Sequence, residues 1–124
     1  MDRLFFVLGA ISGFMSVALG AFGAHALRQR LQVPPDLMRV WETGTHYQMM
    51  HALALLAIAF VAQRFPQGPW VAAGWCFVAG TVLFSGSLYA LTLSGVRWLG
   101  AITPLGGLCF LIGWILLVVS ALRG

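Results

Sequence analysis

The sequence predicts an all-α integral membrane protein, a four-helix bundle running up-down-up-down through the bilayer. Three observations predict it. Hydrophobic residues fill 60% of the 124 positions and charged residues only 8%, against about a quarter charged in soluble domains. The mean hydropathy is +0.92. Four apolar runs succeed one another, each of roughly 20 residues, the length that carries a helix across a ~30 Å hydrocarbon core. They are placed at about residues 4–27, 41–63, 69–93 and 98–122 of one domain covering 1–124. The connections are too short to hold a soluble domain, so consecutive spans pack antiparallel.

The first run follows Arg3, and Ala24-His25-Ala26 has the small-residue look of a signal-peptidase site. Its apolar stretch exceeds that of a signal peptide and three more spans follow, so it is retained as a helix. Gly9, Gly13, Ser16, Gly20 and Gly23 recur at three- and four-residue spacing. Lipid supplies no hydrophobic drive between helices, so such a stripe of small residues marks where another backbone approaches. The partner is the second or fourth span, or a second copy of the chain.

The loop after it ends in Pro34-Pro35, which cannot continue a helix, with Asp36 as a candidate N-cap of the next. Residues 36–47 read as an interfacial stretch in which Trp41 and Tyr47 are belt residues and Arg39 and Glu42 are polar. The helix is apolar from Met49 to Ala62, and Phe65-Pro66-Gln67-Gly68-Pro69 is a tight turn. The third run carries Gly74, Gly80 and Gly86 with Phe84-Ser85-Gly86-Ser87-Leu88-Tyr89. In the fourth, Pro104 either occupies the first turn of a helix that starts at Thr103 or kinks a longer one. Cys76 and Cys109 differ in depth by roughly 10 Å, beyond the ~7 Å Cα separation a disulfide tolerates. They are predicted unpaired.

The net charge of +4 comes from seven basic residues against three acids. The basic residues are arginines scattered at helix ends, where they flank lipid headgroups, and this excludes nucleic acid as a partner. Arg3, Arg64 and Arg123 share the side of the termini, side A; Arg28, Arg30, Arg39 and Arg97 share the other, side B. The near balance leaves orientation open under the positive-inside rule, with the heavier side B read as cytoplasmic. The expected location is the inner (plasma) membrane, multi-pass, with both termini on one side.

Depth places the chemistry. His25, Glu42, His46, Tyr47, Gln48, His51, Ser85, Ser87, Tyr89 and Thr103 all fall in the side-B half of their spans, while the side-A halves are apolar. Polar groups at membrane depth need partners or water, so these residues predict a shared hydrogen-bonded cluster or a cavity open to side B. Gln48 and His51 share a helical face with Gly44 and Leu55, and Glu42 and His46 form an i,i+4 pair. His51 either donates to a backbone carbonyl or to Ser85 as packing glue, or helps bind a ligand. Soft ligation by His46 with Met49 or Met50, and haem ligation by His25 with His51, are conceivable pairings but no signature. No metal and no cofactor are predicted. The acids Asp2, Asp36 and Glu42 form no Ser-His-acid order, so no catalytic residue and no enzyme activity are predicted. Proton-coupled carriers keep a carboxylate deep in a helix, and none lies deep here.

The chain resembles the YgdD/YwdK-type family of small bacterial inner-membrane proteins of unknown function. The resemblance rests on Gly20-Ala21-Phe22-Gly23-Ala24-His25-Ala26-Leu27, on Trp41 with Tyr47-Gln48 and His51-Ala52-Leu53-Ala54-Leu55, and on Gly80 with Leu83-Phe84-Ser85-Gly86-Ser87-Leu88-Tyr89. It continues in Ile102-Thr103-Pro104-Leu105-Gly106-Gly107 with Gly113-Trp114. It implies a four-span inner-membrane protein and brings no activity, cofactor or catalytic residue. The leading functional expectation is a non-enzymatic bundle whose side-B polar cluster binds a lipid, quinone or other amphiphile. The alternatives are an accessory subunit of a larger membrane complex and an oligomeric channel or exporter. Membrane lipid is the expected partner, with a homo-oligomer or a membrane-protein partner left open.

Overall fold

In hydrocarbon every backbone amide must be satisfied within its own segment, so long apolar runs become unbroken helices. The computed structural model describes residues 1–123 and shows this directly. Helix α1 covers Asp2–Phe22 and continues without a break through Gly23–Arg30 in wider turns. There the Leu31 amide reaches back five residues to the Ala26 carbonyl, and that of Val33 six residues to Leu27. Helix α2 is Pro35–Arg64, α3 is Trp70–Ser94 and α4 is Thr103–Arg123, the last preceded by a tight 3-10 turn at Arg97–Ala101. All four are long and apolar enough to cross a membrane.

The element boundaries correct the sequence reading in three places. Helix α2 starts six residues before the expected 41, because Pro35 sits at the first helical position, where its missing N–H is no loss. Asp36 is therefore not the cap; it lies in the first turn and binds Arg97 at 3.1 Å. The α4 helix begins at Thr103 rather than at about 98, so of the two places expected for Pro104 it takes the first, in the first turn, and kinks nothing.

Helix α3 stops at Gly95, whose φ of 73° and ψ of 4° place it in the left-handed region, with its amide on the Leu91 carbonyl at 2.8 Å. Only glycine adopts this conformation without a Cβ clash. Gly95→Ala is expected to cost about 1 kcal/mol, read as a lower denaturant midpoint in micelles; an unchanged midpoint would contradict the cap geometry.

Each helix packs along its chain neighbours, while the α2 and α4 backbones stand apart and meet only through side chains. The bundle is thus a zigzag with α2 and α3 in the middle and α1 and α4 outside. One apolar cluster lies toward side A: Phe5, Leu55, Ile58, Ala73, Phe77 and Phe110. A smaller one lies toward side B, where Leu27, Met38 and Trp41 meet Leu19 and Tyr89. Trp41, expected as a belt residue, is 2% exposed. Its indole N–H donates to the Leu19 carbonyl at 2.9 Å, which is why a ring with one polar atom is tolerated inside.

The small-residue stripe of α1 contributes unevenly. A Cβ at Gly9 would stand 2.9 Å from the Ala52 carbonyl oxygen and the Leu55 Cβ, and one at Gly23 would meet the Trp41 indole at 2.5 Å. At Gly13 it would meet only the Ala52 Cβ at 3.9 Å, and at Gly20 nothing. The partner of the stripe is α2. Equally tight approaches lie between α3 and α4, where Gly106 lies against the Phe84 backbone, Gly80 against the Phe110 ring and Gly113 against the Phe77 ring.

Candidate functional site

The inner face of α2 organises the polar groups. Trp41, Gly44, Gln48, His51 and Leu55 follow spacings of three and four and are all buried. Gln48 joins three helices: its Nε2 donates to the Ser12 carbonyl at 3.1 Å and approaches Ser12 Oγ at 3.3 Å, and its Oε1 accepts the Tyr89 hydroxyl at 2.6 Å. One turn nearer side B, Ser16 Oγ donates to the Thr45 carbonyl at 2.8 Å and Ser85 Oγ to the Gly44 carbonyl at 2.7 Å. Gly44 is bare on this face because the Tyr89 ring occupies the space of its side chain.

His51 ties α2 to α4. Its Nδ1 lies 2.8 Å from the Tyr47 carbonyl and its Nε2 lies 3.0 Å from the Trp114 indole nitrogen. A carbonyl only accepts and an indole N–H only donates, so Nδ1 carries the proton and Nε2 accepts. The imidazole is neutral and both nitrogens are engaged. Its ring stacks on Phe110 at 3.5 Å between centroids and 7° between planes. Of the two packing contacts expected for His51, the one to a backbone carbonyl is present, and Ser85 is not its partner. Among the described residues no group of three or more His, Cys, Asp and Glu side chains is placed to hold a metal ion. Cys76 and Cys109 are free thiols.

The structure gathers Gln48, His51, Ser85 and Tyr89 but not every residue at that depth. His25 and His46 are exposed. Glu42 binds Arg28 rather than His46. Ser87 and Thr103 form a separate α3–α4 bridge of 2.6 Å; Ser87 donates to the Phe84 carbonyl at 2.9 Å, so Thr103 donates to Ser87. Tyr47 is half-buried and stacks on Phe84 with centroids 4.6 Å apart. Trp114 was missed as a site residue. Its signal was its place four residues after Phe110, one turn along the helix edge that meets His51.

Two grooves flank the zigzag. A groove of about 220 Å³ between α1 and α3 is lined by Leu8, Ser12, Gln48, Val78 and Thr81, among others. The Thr81 hydroxyl is buried without a hydrogen-bond partner among the described residues. A larger one of about 570 Å³ opens sideways between α2 and α4, where those helices stand apart. Tyr47, His51, Phe84, Phe110 and Trp114 form its aromatic floor, and Met50, Pro104, Gly107, Leu108 and Leu111 its rims. The polar cluster is satisfied internally, whereas this groove presents ring faces and one phenol to whatever lies beside the protein.

A family model described as a protein of unknown function, DUF423, matches residues 19–107. The chain is 48% identical over 122 residues to the UPF0382 membrane protein YwdK of Bacillus subtilis, covering 98% of each chain. It is 47% identical to a UPF0382 membrane protein of Staphylococcus epidermidis and 45% identical to one of Staphylococcus aureus strain USA300, each over 98% of this chain and 97% of the relative. No solved structure matches it.

Proposed function

We propose, from the premise that the chain belongs to the DUF423 family of membrane proteins, that it is a non-enzymatic bundle holding an amphiphile in the α2–α4 groove. The observation that carries this reading is the groove itself. It offers about 570 Å³ of aromatic-lined space whose rim residues Met50, Leu108 and Leu111 are apolar and exposed, and apolar pockets with few polar groups are the usual form of small-molecule sites. The buried cluster supports the groove rather than binding the ligand. The His51–Trp114 bond and the His51–Phe110 stack hold the floor rigid, and Gln48 fixes the helices behind it. A lipid or a quinone with an apolar tail suits such a slot.

Filling the groove tests the proposal. Leu111 lines it and is 63% exposed, so Leu111→Trp adds bulk without disturbing the core. Native mass spectrometry of the protein released from lipid nanodiscs is expected to show one retained lipid or quinone on the wild type and none on Leu111→Trp. A second variant, Gly107→Phe, fills the slot from the same helix; its new Cβ meets only the Phe84 ring, at 3.9 Å. Equal retention by all three proteins, or none by the wild type, would overturn the reading.

A further inference from the structure

The groove does not end at its aromatic floor. Tyr47 is shared with a second, more open hollow of about 360 Å³ lined by Arg39, Glu42, Thr43, His46 and Tyr47. Arg39, Thr43, Tyr47 and Met50 recur at spacings of four, four and three, so one face of α2 runs continuously from the side-B rim into the groove. The charges along that face are unequal. Three acids exist in the chain. Asp2 lies at the opposite end, Asp36 holds Arg97 and Glu42 holds Arg28. Among the described residues no carboxylate pairs with Arg39, whose guanidinium is at the head of the face with the Thr43 hydroxyl and the His46 ring next along it.

From this arrangement we propose that the groove's occupant is a lipid of the side-B leaflet with an anionic phosphate headgroup, held by Arg39 with its tail in the α2–α4 groove. This rests on the amphiphile reading above and names the class of ligand. Two arguments carry it. Guanidinium groups recognise phosphate oxygens through paired N–H donors, and basic pockets beside spans are where anionic headgroups settle. The length also fits: Arg39 and His51 are twelve residues apart on α2, about 18 Å along the axis, close to the depth of one leaflet plus the start of its headgroup layer, since half of the hydrocarbon core is ~15 Å. His51 and Trp114 are the lining residues farthest from side B on their helices, so the slot spans the depth of a tail from one leaflet. The Glu42 charge beside the hollow is already matched by Arg28 and does not repel the phosphate.

The test titrates delipidated, detergent-purified protein with phosphatidylglycerol and with phosphatidylcholine of identical acyl chains, counting bound lipid by native mass spectrometry. Wild type is expected to bind phosphatidylglycerol at least about fivefold more tightly, the scale of one arginine at a membrane surface. Arg39→Gln is expected to lose that preference and keep its phosphatidylcholine binding. Arg30→Gln, which removes an exposed charge on the same side but outside the groove, is expected to keep the preference. Equal affinity of wild type for the two lipids would overturn the proposal, as would an Arg30→Gln loss as large as that of Arg39→Gln, which would assign the effect to diffuse surface charge. In either case a lipid or a benzoquinone with an isoprenoid tail that still binds wild type, and not Leu111→Trp, leaves the amphiphile reading standing. Failure of every amphiphile to bind wild type removes both.

Discussion

Gly106→Ala is expected to destabilise the protein by about 3 kcal/mol, the upper part of the range for overpacking a tight interface. A Cβ there would lie 2.7 Å from the Phe84 Cβ and 2.8 Å from its Cα, and closer still to its amide nitrogen. Those are backbone or backbone-fixed atoms, so no rotamer change relieves the clash and α3 and α4 must separate. The separation would also loosen Gly80 against Phe110 and Gly113 against Phe77, which lie along the same seam. Gly113→Ala is expected to cost less, because the atoms it meets belong to the Phe77 side chain rather than to the α3 backbone. Gly20→Ala and Gly86→Ala meet nothing within 4 Å. They should be neutral or stabilising by up to ~1 kcal/mol, since alanine is the better helix former. Unfolding in mixed micelles followed by far-UV circular dichroism ranks the four variants. A Gly106→Ala midpoint equal to wild type would refute the α3–α4 packing.

That ranking also marks how far the sequence was legible. Number, length and alternation of spans are local properties, because a hydrocarbon slab imposes length and hydropathy on each run separately. The number and alternation of spans match the structure, while α2 starts six residues early at Pro35 and α4 five residues late at Thr103. Depth is likewise local, and it placed Gln48, His51, Ser85 and Tyr89 at one level. Which way a side chain points depends on neighbours distant in sequence, and there depth alone misleads. His46 is two residues from Gln48, which on a helix turns it to the far side, so its exposure was readable from spacing. His25 is readable in the same way, since it lies two residues from both Gly23 and Leu27, which carry the buried face of the stripe onward. Within that stripe Gly23 fits closely against Trp41, while Gly20 faces open space. Trp41 itself continues the Gly44, Gln48, His51 and Leu55 spacing by one step, yet aromatic residues near a helix start also form interfacial belts, and composition does not separate the two. The acceptors were wholly invisible. Ser16, Trp41, His51 and Ser85 donate to backbone carbonyls of Thr45, Leu19, Tyr47 and Gly44, and every residue has one of those.

The bond between Gln48 and Tyr89 provides the second large effect. Gln48→Leu keeps the apolar bulk but removes both the acceptor of the Tyr89 hydroxyl and the donor to Ser12. A buried hydroxyl left without a partner costs about 1–3 kcal/mol, and at this depth no water replaces the lost group. Gln48→Leu is therefore expected to destabilise by about 2 kcal/mol, within that range. Tyr89→Phe removes only the donor and leaves Gln48 Oε1 unpaired, for a loss of about 1 kcal/mol. The double variant leaves neither partner orphaned, so its loss should fall short of the sum of the two by about 1 kcal/mol, the coupling expected of residues in one network. Hydrogen bonds across membrane helices average about 0.6 kcal/mol, so a coupling near 1 kcal/mol would place this bond among the stronger ones. Additive losses would mean that the Tyr89 hydroxyl finds a second acceptor, and the three-helix node at Gln48 would then not be what fixes α1 and α3 behind the groove. A coupled loss, with weaker amphiphile retention in Gln48→Leu than in Tyr89→Phe, would tie the rigidity of the buried cluster to the groove that it backs.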